Sequence, residues 1–232
     1  MNYKCVIENY QEQLLTCQYG FMGISIGSHE QSGRKLSAII DFVIEHFHEK
    51  PFTFYLCDSL NAHNIAAMNK INLPEARKHA IYKADLWLDC NKKYFDRLKS
   101  NHTIKRWDEY LYSPKYTDTW HHIKNLYDYD LSFRQIVLQD VSEHIDRVKK
   151  TNNIEMSDGK IYLFKHHSIN YLLEECTGLA IAFDVKDYND LIEFYPGNLA
   201  KCLGYFEGKS LPIPLNSLSH RRTVKIQFEE NC

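Results

Sequence analysis

The sequence contains no run of about eighteen apolar residues, the length a membrane-spanning helix requires. Its first residues also lack the continuous apolar stretch of a secretion signal. Both absences lead to the expectation of a cytoplasmic protein with no membrane partner. The seven cysteines, Cys5, Cys17, Cys57, Cys90, Cys176, Cys202 and Cys232, never form a C-x-x-C pair. That spacing argues against a zinc site, and the odd count argues against a disulfide framework. Buried thiols in a reducing compartment are the simpler expectation. Glycine (9) and proline (6) are scarce, which argues against a linker-rich, multidomain chain. Positive charge is not in excess: 28 Lys and Arg against 30 Asp and Glu leave a net charge of −2. Any contact with a polynucleotide therefore needs a local basic patch, because no global positive field exists. Internal repeats and low-complexity segments are also missing.

What is present reads as a folded protein. Hydrophobic residues make up 44% and charged residues 25% of 232 positions. That composition and length suit one α/β domain over residues 1–232 with a sizeable core. The chain is organised around Gly23-Ile24-Ser25-Ile26-Gly27-Ser28. An apolar run from Phe21 to Ile26 enters this stretch and an amphipathic segment from about Leu36 to Phe47 leaves it, the order of strand, tight turn and helix. Two glycines permit positive φ and a close ligand approach. Free N–H groups at the helix start favour negative charge. Ser25 falls at the strand's end, where an open α/β sheet places its ligand. The same window also reads as an ordinary turn with Ser25 as a bystander.

Residues 1–20 are weakly patterned. A helix is expected over Ser32 to Glu49, ended by Pro51, then a buried strand over Thr53 to Cys57. Asp58-Ser59 caps a short helix around Asn61 to Met68. Pro74 opens a helix to about Lys99. A strand over Thr103 to Trp107 and a helical turn at Asp108 to Leu111 follow. Further helices span Pro114 to Tyr127, Ser132 to Lys150 and Ile161 to Cys176, the last stopped near Gly178. Leu191 to Tyr195 is a short strand and Asn198 to Gly204 a last short helix. Thr223 to Phe228 alternates like an edge strand.

Several stretches can carry chemistry. Gly23-Ile24-Ser25-Ile26-Gly27 fits the G-x-S-x-G pattern of a hydrolase nucleophile. His121, His122, His166 and His167 follow it as candidate bases, with no spacing that singles one out. Tyr171 and Glu175, four positions apart on one helix, share a face and suit a substrate ammonium group; a solvated pair has the same spacing. Tyr195-Pro196 ends a strand and turns the phenol toward the strands' ends. On the helix from Pro74, Arg77, Lys78, Lys92, Lys93 and Lys99 fall within roughly 160° of arc, and Arg97 adds to them. Asp85, Asp89 and Asp96 share that arc, so a phosphate-binding stripe and a solvated, ion-paired face both fit.

Taken together, these motifs resemble the cyclodipeptide synthases, which take two aminoacyl-tRNAs and release a cyclic dipeptide. Gly23 to Ser28 is similar to the family's nucleophile loop, with Ser25 at the acylated serine. Tyr171-Leu172-Leu173-Glu174-Glu175 resembles its Tyr-x-x-x-Glu helix motif, and Tyr195 its second tyrosine. Ser28 and Tyr195-Pro196 are similar to the subgroup that has a variable residue after the loop and Pro after the tyrosine; Asn stands at the position of Ser28 in the other subgroup. The similarity runs from about residue 20 to 205.

The resemblance implies a single Rossmann-type domain with a mainly parallel sheet and helices on both faces, like the catalytic domain of class Ic aminoacyl-tRNA synthetases. It implies catalysis by Ser25, Tyr171, Glu175 and Tyr195 and no cofactor or metal; the synthetase ATP signatures His-x-Gly-His and Lys-Met-Ser-Lys-Ser do not occur. It implies a substrate site at Phe21, Gly23, Gly27, Ser28, Tyr55, Gly178, Glu193 and Pro196. Phe21 and Tyr55 are bulky, so a small first residue, alanine, is expected, and Glu193 must meet a partner or water. Aminoacyl-tRNAs are the expected partners, held along the helix from Pro74, with no DNA contact and a monomeric chain. The alternatives are a serine hydrolase and a non-catalytic tRNA-binding protein.

Overall fold

A computed structural model describes residues 2–8, 17–152, 155–184, 191–197 and 199–231. Six strands form one sheet: β1 (Asn2–Ile7), β2 (Tyr19–Ile24), β3 (Phe52–Leu56), β4 (His102–Arg106), β5 (Leu191–Pro196) and β6 (Arg222–Asn231). Their order is β1-β6-β5-β2-β3-β4, and only the β1–β6 pair is antiparallel. The described helices are α1 (Gly33–His46), α2 (Ala62–Asn69), α3 (Leu73–Phe95), α4 (Asp108–Leu111), α5 (Tyr116–Tyr129), α6 (Leu131–Asn152), α7 (Asp158–Ala182), α8 (Lys201–Gly204) and α9 (Asn216–Ser219).

Strand alternation divides the core. Met22, Ile24, Phe52, Phe54, Leu56, Ile192 and Phe194 turn to one face and pack with Leu36, Ile39, Ile40 and Val43 of α1. Phe21 and Leu191 turn to the other face, into a cluster built from α5, α6 and α7. α7 is the hub of that layer, with α2, α5 and α6 packed on it. The β2–α1–β3 unit expected from the sequence is present, with β2 and β3 adjacent and parallel.

β2 and β5 part early. Their pairing ends at Phe21↔Glu193, whereas β2 stays with β3 to Ile24↔Leu56 and β5 stays with β6 to Pro196↔Ile226. A crevice opens between the two strands at their carboxyl ends.

Three expectations are corrected. Thr223 to Phe228 belongs to a strand that lies inside the sheet, because β1, from the weakly patterned start of the chain, pairs along its outer side. The helix from Pro74 ends at Phe95, so Arg97 and Lys99 lie beyond it. Its start is as expected: Asn72 Oδ1 accepts the Glu75 N–H at 2.9 Å, with Pro74 in the first turn. Gly178 does not stop its helix, which runs on to Ala182. Glycine stands there for a different reason. A Cβ at this position would lie 2.4 Å from Cζ2 and 2.7 Å from Cη2 of Trp107, a buried ring packed on α7. Among the described cysteines none is paired; Cys90 is exposed and the others are buried, and Cys232 lies outside the described residues.

Gly178 reverses a familiar expectation. Gly→Ala inside a helix ordinarily adds roughly 0.5–1 kcal/mol of stability. Gly178→Ala should instead destabilise by about 1–3 kcal/mol through overpacking against Trp107. The check is a lower denaturant midpoint at unchanged m.

Candidate active site

A cavity of about 990 Å³ lies over the crevice, at the carboxyl ends of β2 to β5. Alternation explains its floor. Phe21, Gly23 and Ser25 from β2 and its exit share one parity, as do Tyr55 and Cys57 from β3 and Glu193 and Tyr195 from β5, and all seven line the cavity. α7 supplies Ser168, Tyr171, Leu172, Glu175 and Leu179, spaced to share one helix face. α6 contributes Asp140, Glu143, His144 and Arg147 at the opposite wall.

The loop after β2 is held through its main chain. The Ser28 N–H donates to Ser25 C=O at 3.0 Å, closing a four-residue turn. Gly27 takes the third position at φ +91°, as a type II turn demands. Gly23 does not share that role: it sits in β2 without positive φ, and a Cβ there would meet Cys57 Sγ at 3.6 Å. The Ser25 N–H donates to Gln31 Oε1 at 2.8 Å, and Gln31 Nε2 donates to Gly23 C=O at 2.6 Å. Ser28 Oγ accepts the Glu30 N–H at 3.3 Å.

Ser25 and Tyr195 line the same cavity. Burial raises the Tyr195 pKa, with nearby Ser25 opposing it, and burial lifts Tyr171 well above the ordinary tyrosine value. Both phenols are therefore protonated at neutral pH. Burial likewise pushes the Cys57 thiol well up, so it is not a thiolate at neutral pH. Glu175 is pushed up from 4.5 to about 7, first by burial and then by the Glu193 charge, with Arg221 opposing. Glu193 has the partner its burial demands: Arg221 Nε donates to it at 2.6 Å, and both side chains are buried.

Other expected residues sit elsewhere. Gly178 and Pro196 do not line the cavity; the space over Gly178 is filled by Trp107, which does. Arg77 is drawn inward, its Nη2 donating at 3.0 Å to buried Glu174, which also meets His63 Nε2 at 3.2 Å. Lys92 pairs with Asp96, Arg97 bonds Ser37 and Asp41, and Lys93 sits 5.0 Å from the Tyr94 ring centroid. The basic stripe is thus partly spent on the protein's own groups, while Lys78, Lys93 and Lys99 remain exposed. His121, His122, His166 and His167 do not line the cavity, whereas His144 does, its pKa lowered by burial and by Arg147. Gln31 was not legible as a site residue, because a glutamine after a polar loop looks solvated. Among the described residues no group of three or more His, Cys, Asp or Glu is arranged to hold a metal ion, and no helix is long and apolar enough to cross a membrane.

Solved structures share this architecture. A cyclodipeptide synthase from Fluoribacter dumoffii superposes with a TM-score of 0.81 at 21% identity, over 99% of this chain and 100% of that one. One from Candidatus Glomeribacter gigasporarum, solved bound to Phe-tRNAPhe, gives 0.64 at 17% over 92% and 88%. A Mycobacterium tuberculosis protein, described as demonstrating that cyclodipeptide synthetases are related to type I tRNA synthetases, gives 0.66 at 11% over 98% and 94%. These likenesses show the fold. No protein-family model and no curated protein matches the chain by sequence.

The raised pKa of Glu175 has a thermodynamic signature. From pH 4.5 up to about 7 the folded state holds a proton that the unfolded chain releases, so stability is lost as pH rises through that window. The full loss approaches about 3 kcal/mol. Glu175→Gln should match the wild type near pH 4.5 and exceed its stability at about pH 8. Denaturant midpoints against pH check this, and equal slopes for the two proteins would contradict it.

Proposed function

We propose that this chain is an aminoacyl-tRNA-dependent cyclodipeptide synthase of the subgroup with Tyr-Pro after the second motif. The observation that carries the reading is that Ser25, Tyr171, Glu175 and Tyr195 line one cavity at the carboxyl ends of the parallel strands. A hydrolase of the G-x-S-x-G kind needs a histidine on its serine; the strand residues that line the cavity with Ser25 include tyrosines and a glutamate and no histidine. The fold shared with cyclodipeptide synthases, one of them solved with Phe-tRNAPhe, supports the same reading.

The course is ping-pong. Ser25 Oγ attacks the aminoacyl ester of the first tRNA; the acyl–oxygen bond to the ribose breaks and the released ribose hydroxyl takes the proton. Ester is exchanged for ester, so no nucleotide hydrolysis is required. The vicinal hydroxyl of the tRNA is the candidate base. The amine of the second aminoacyl-tRNA then attacks the seryl ester, and this amine must first lose its ammonium proton. A carboxylate with a pKa of about 7 is matched to that exchange. The dipeptidyl group next moves from tRNA to Ser25, and its free amine closes the ring and frees the serine. Closure needs a cis-like peptide bond, which costs about 2.5–4 kcal/mol for a non-proline pair. Holding that conformer falls to the cavity walls, with Tyr171 and Glu175 orienting the amine.

The first residue is small in this reading. The Phe21 ring packs edge-on against Tyr55 at 5.6 Å and Phe183 at 5.0 Å, and Trp107 closes the space beside Gly178. Phe21, Tyr55 and Trp107 line the cavity with their bulk, and the small first residue proposed for it is alanine. The tRNA lies along α3, on the cations that remain outward, Lys78 and Lys93 among them.

Incubation with charged tRNAs should leave an aminoacyl adduct on Ser25, seen by mass spectrometry, with the mass of an alanyl group. Ser25→Ala should abolish both adduct and cyclic product. Full turnover by that variant would remove the enzyme reading, and an adduct of leucyl or phenylalanyl mass would remove only the small pocket.

Joint replacement of Lys78 and Lys93 by Glu should raise the apparent KM for tRNA and leave the fold intact. The slope of log affinity against log salt should fall by roughly 0.7–0.9 per lost phosphate contact. An unchanged slope would move the tRNA site off α3.

A further inference from the structure

We propose that Gln31 is a positioning residue for Ser25, its side-chain amide standing in for a strand residue where β5 has left the sheet. The proposal rests on the reading of Ser25 as the nucleophile.

The argument starts from the direction of main-chain groups. The Cys57 N–H donates to Ile24 C=O at 2.9 Å, so the polar groups of Ile24 face β3. Along a strand these groups alternate in direction. The C=O of Gly23 and the N–H of Ser25 therefore face the other way, toward the side where β5 would continue. β5 no longer pairs there, since its register with β2 ends at Phe21↔Glu193. Leaving these two part-buried groups unpaired would be costly.

In a parallel ladder, the residue opposite position i donates its N–H to the C=O of i−1 and accepts the N–H of i+1. The Gln31 carboxamide does both for Ile24. It donates to Gly23 C=O at 2.6 Å and accepts from Ser25 N–H at 2.8 Å. It is anchored in turn by its own N–H, which donates to Ser28 C=O at 3.2 Å, and the residue is 1% exposed. With Ser28 N–H on Ser25 C=O, both main-chain groups of Ser25 are occupied. Two consequences follow. The backbone that carries Oγ is fixed before substrate arrives. The Ser25 N–H is also already used, so it does not serve as a donor to the oxyanion formed in acyl transfer. Glutamine alone meets these requirements: ionised glutamate lacks the donor, methionine lacks both functions, and asparagine is one methylene short.

Gln31 does not line the cavity, so its loss should act on acyl transfer rather than on substrate binding. In the full-length protein, Gln31→Met should lower the single-turnover rate of Ser25 acylation by about 10- to 100-fold, with the tRNA KM within about twofold of wild type. Gln31→Glu keeps the shape. Its rate relative to wild type should rise as the pH falls from about 8 to about 6, because the protonated carboxyl again offers one donor and one acceptor. In the wild-type protein the Ser25 amide should exchange its hydrogen slowly, a readout that requires no variant to fold. A fast-exchanging Ser25 amide overturns the proposal. So do folded variants that acylate Ser25 at the wild-type rate, and so does a defect confined to KM. Ser25→Ala is run alongside: its full turnover would defeat the nucleophile reading itself, whereas its inactivity combined with normal Gln31 variants would defeat only the role of Gln31.

Discussion

The separation of β2 from β5 is the constraint on which the rest of the site depends. From β2 the chain passes through α1 to β3 and then to β4 on one side. It returns to the other side of β2 only after α7, through β5 and β6. An open α/β sheet binds its ligand where the winding reverses in this way. Here the two strands also diverge, which makes the crevice deep enough for a cavity but removes a neighbour from each strand end. Side chains then have to complete the hydrogen bonding. Gln31 does so for β2. Asp58 does so past the ends of β3 and β4: its carboxylate accepts the N–H groups of Ser59 at 2.7 Å and Trp107 at 3.2 Å, and Arg106 Nε at 2.6 Å. These main-chain groups are satisfied from within the protein.

Three carboxylates near α7 have been given different environments. Glu174 points away from the cavity and is held by His63 and Arg77. Glu193 is buried on β5 and held by Arg221. Glu175 lines the cavity beside Glu193 and feels Arg221 only through a pair that Glu193 already closes. The first two are neutralised by structure, and the third is left with a raised affinity for a proton. Retaining an under-compensated acid at that place is a cost to stability, and such costs concentrate where a protein has chemistry to do. In the proposed reaction, an arriving ammonium group supplies the charge that the fold withholds.

Local patterns were the readable part of the sequence. The apolar spacing of Leu36, Ile39, Ile40 and Val43 located α1, and Asp108 to Leu111 formed the expected helical turn. The serine loop, the Tyr171–Glu175 face and Tyr195 converge on one cavity as their positions suggested. Errors arose where a distant partner decides the outcome. β6 reads as an edge strand until β1, more than two hundred residues earlier in the chain, pairs with it. Gly178 reads as a helix stop until the Trp107 ring is placed against it. Arg77 reads as part of an outward basic stripe until Glu174, on another helix, draws it in. Gln31 carried no local signal, because its function consists of two bonds to main-chain atoms eight and six residues back.

The Arg77–Glu174 bond also links two parts of the proposed reaction. Arg77 sits in the first turns of α3, and Glu174 is the immediate neighbour of Glu175 on α7. α2 packs on both α3 and α7, so the link is reinforced by apolar contact. From Arg77 to Lys93 the helix extends about 24 Å at 1.5 Å per residue. A polynucleotide lying on that helix is therefore registered against the acid through a short, part-buried ionic tie and a packed helix. In such an arrangement the acyl end is delivered at a fixed reach from the binding surface. In the proposed reaction, orientation of the amine then comes from how α3 and α7 are joined.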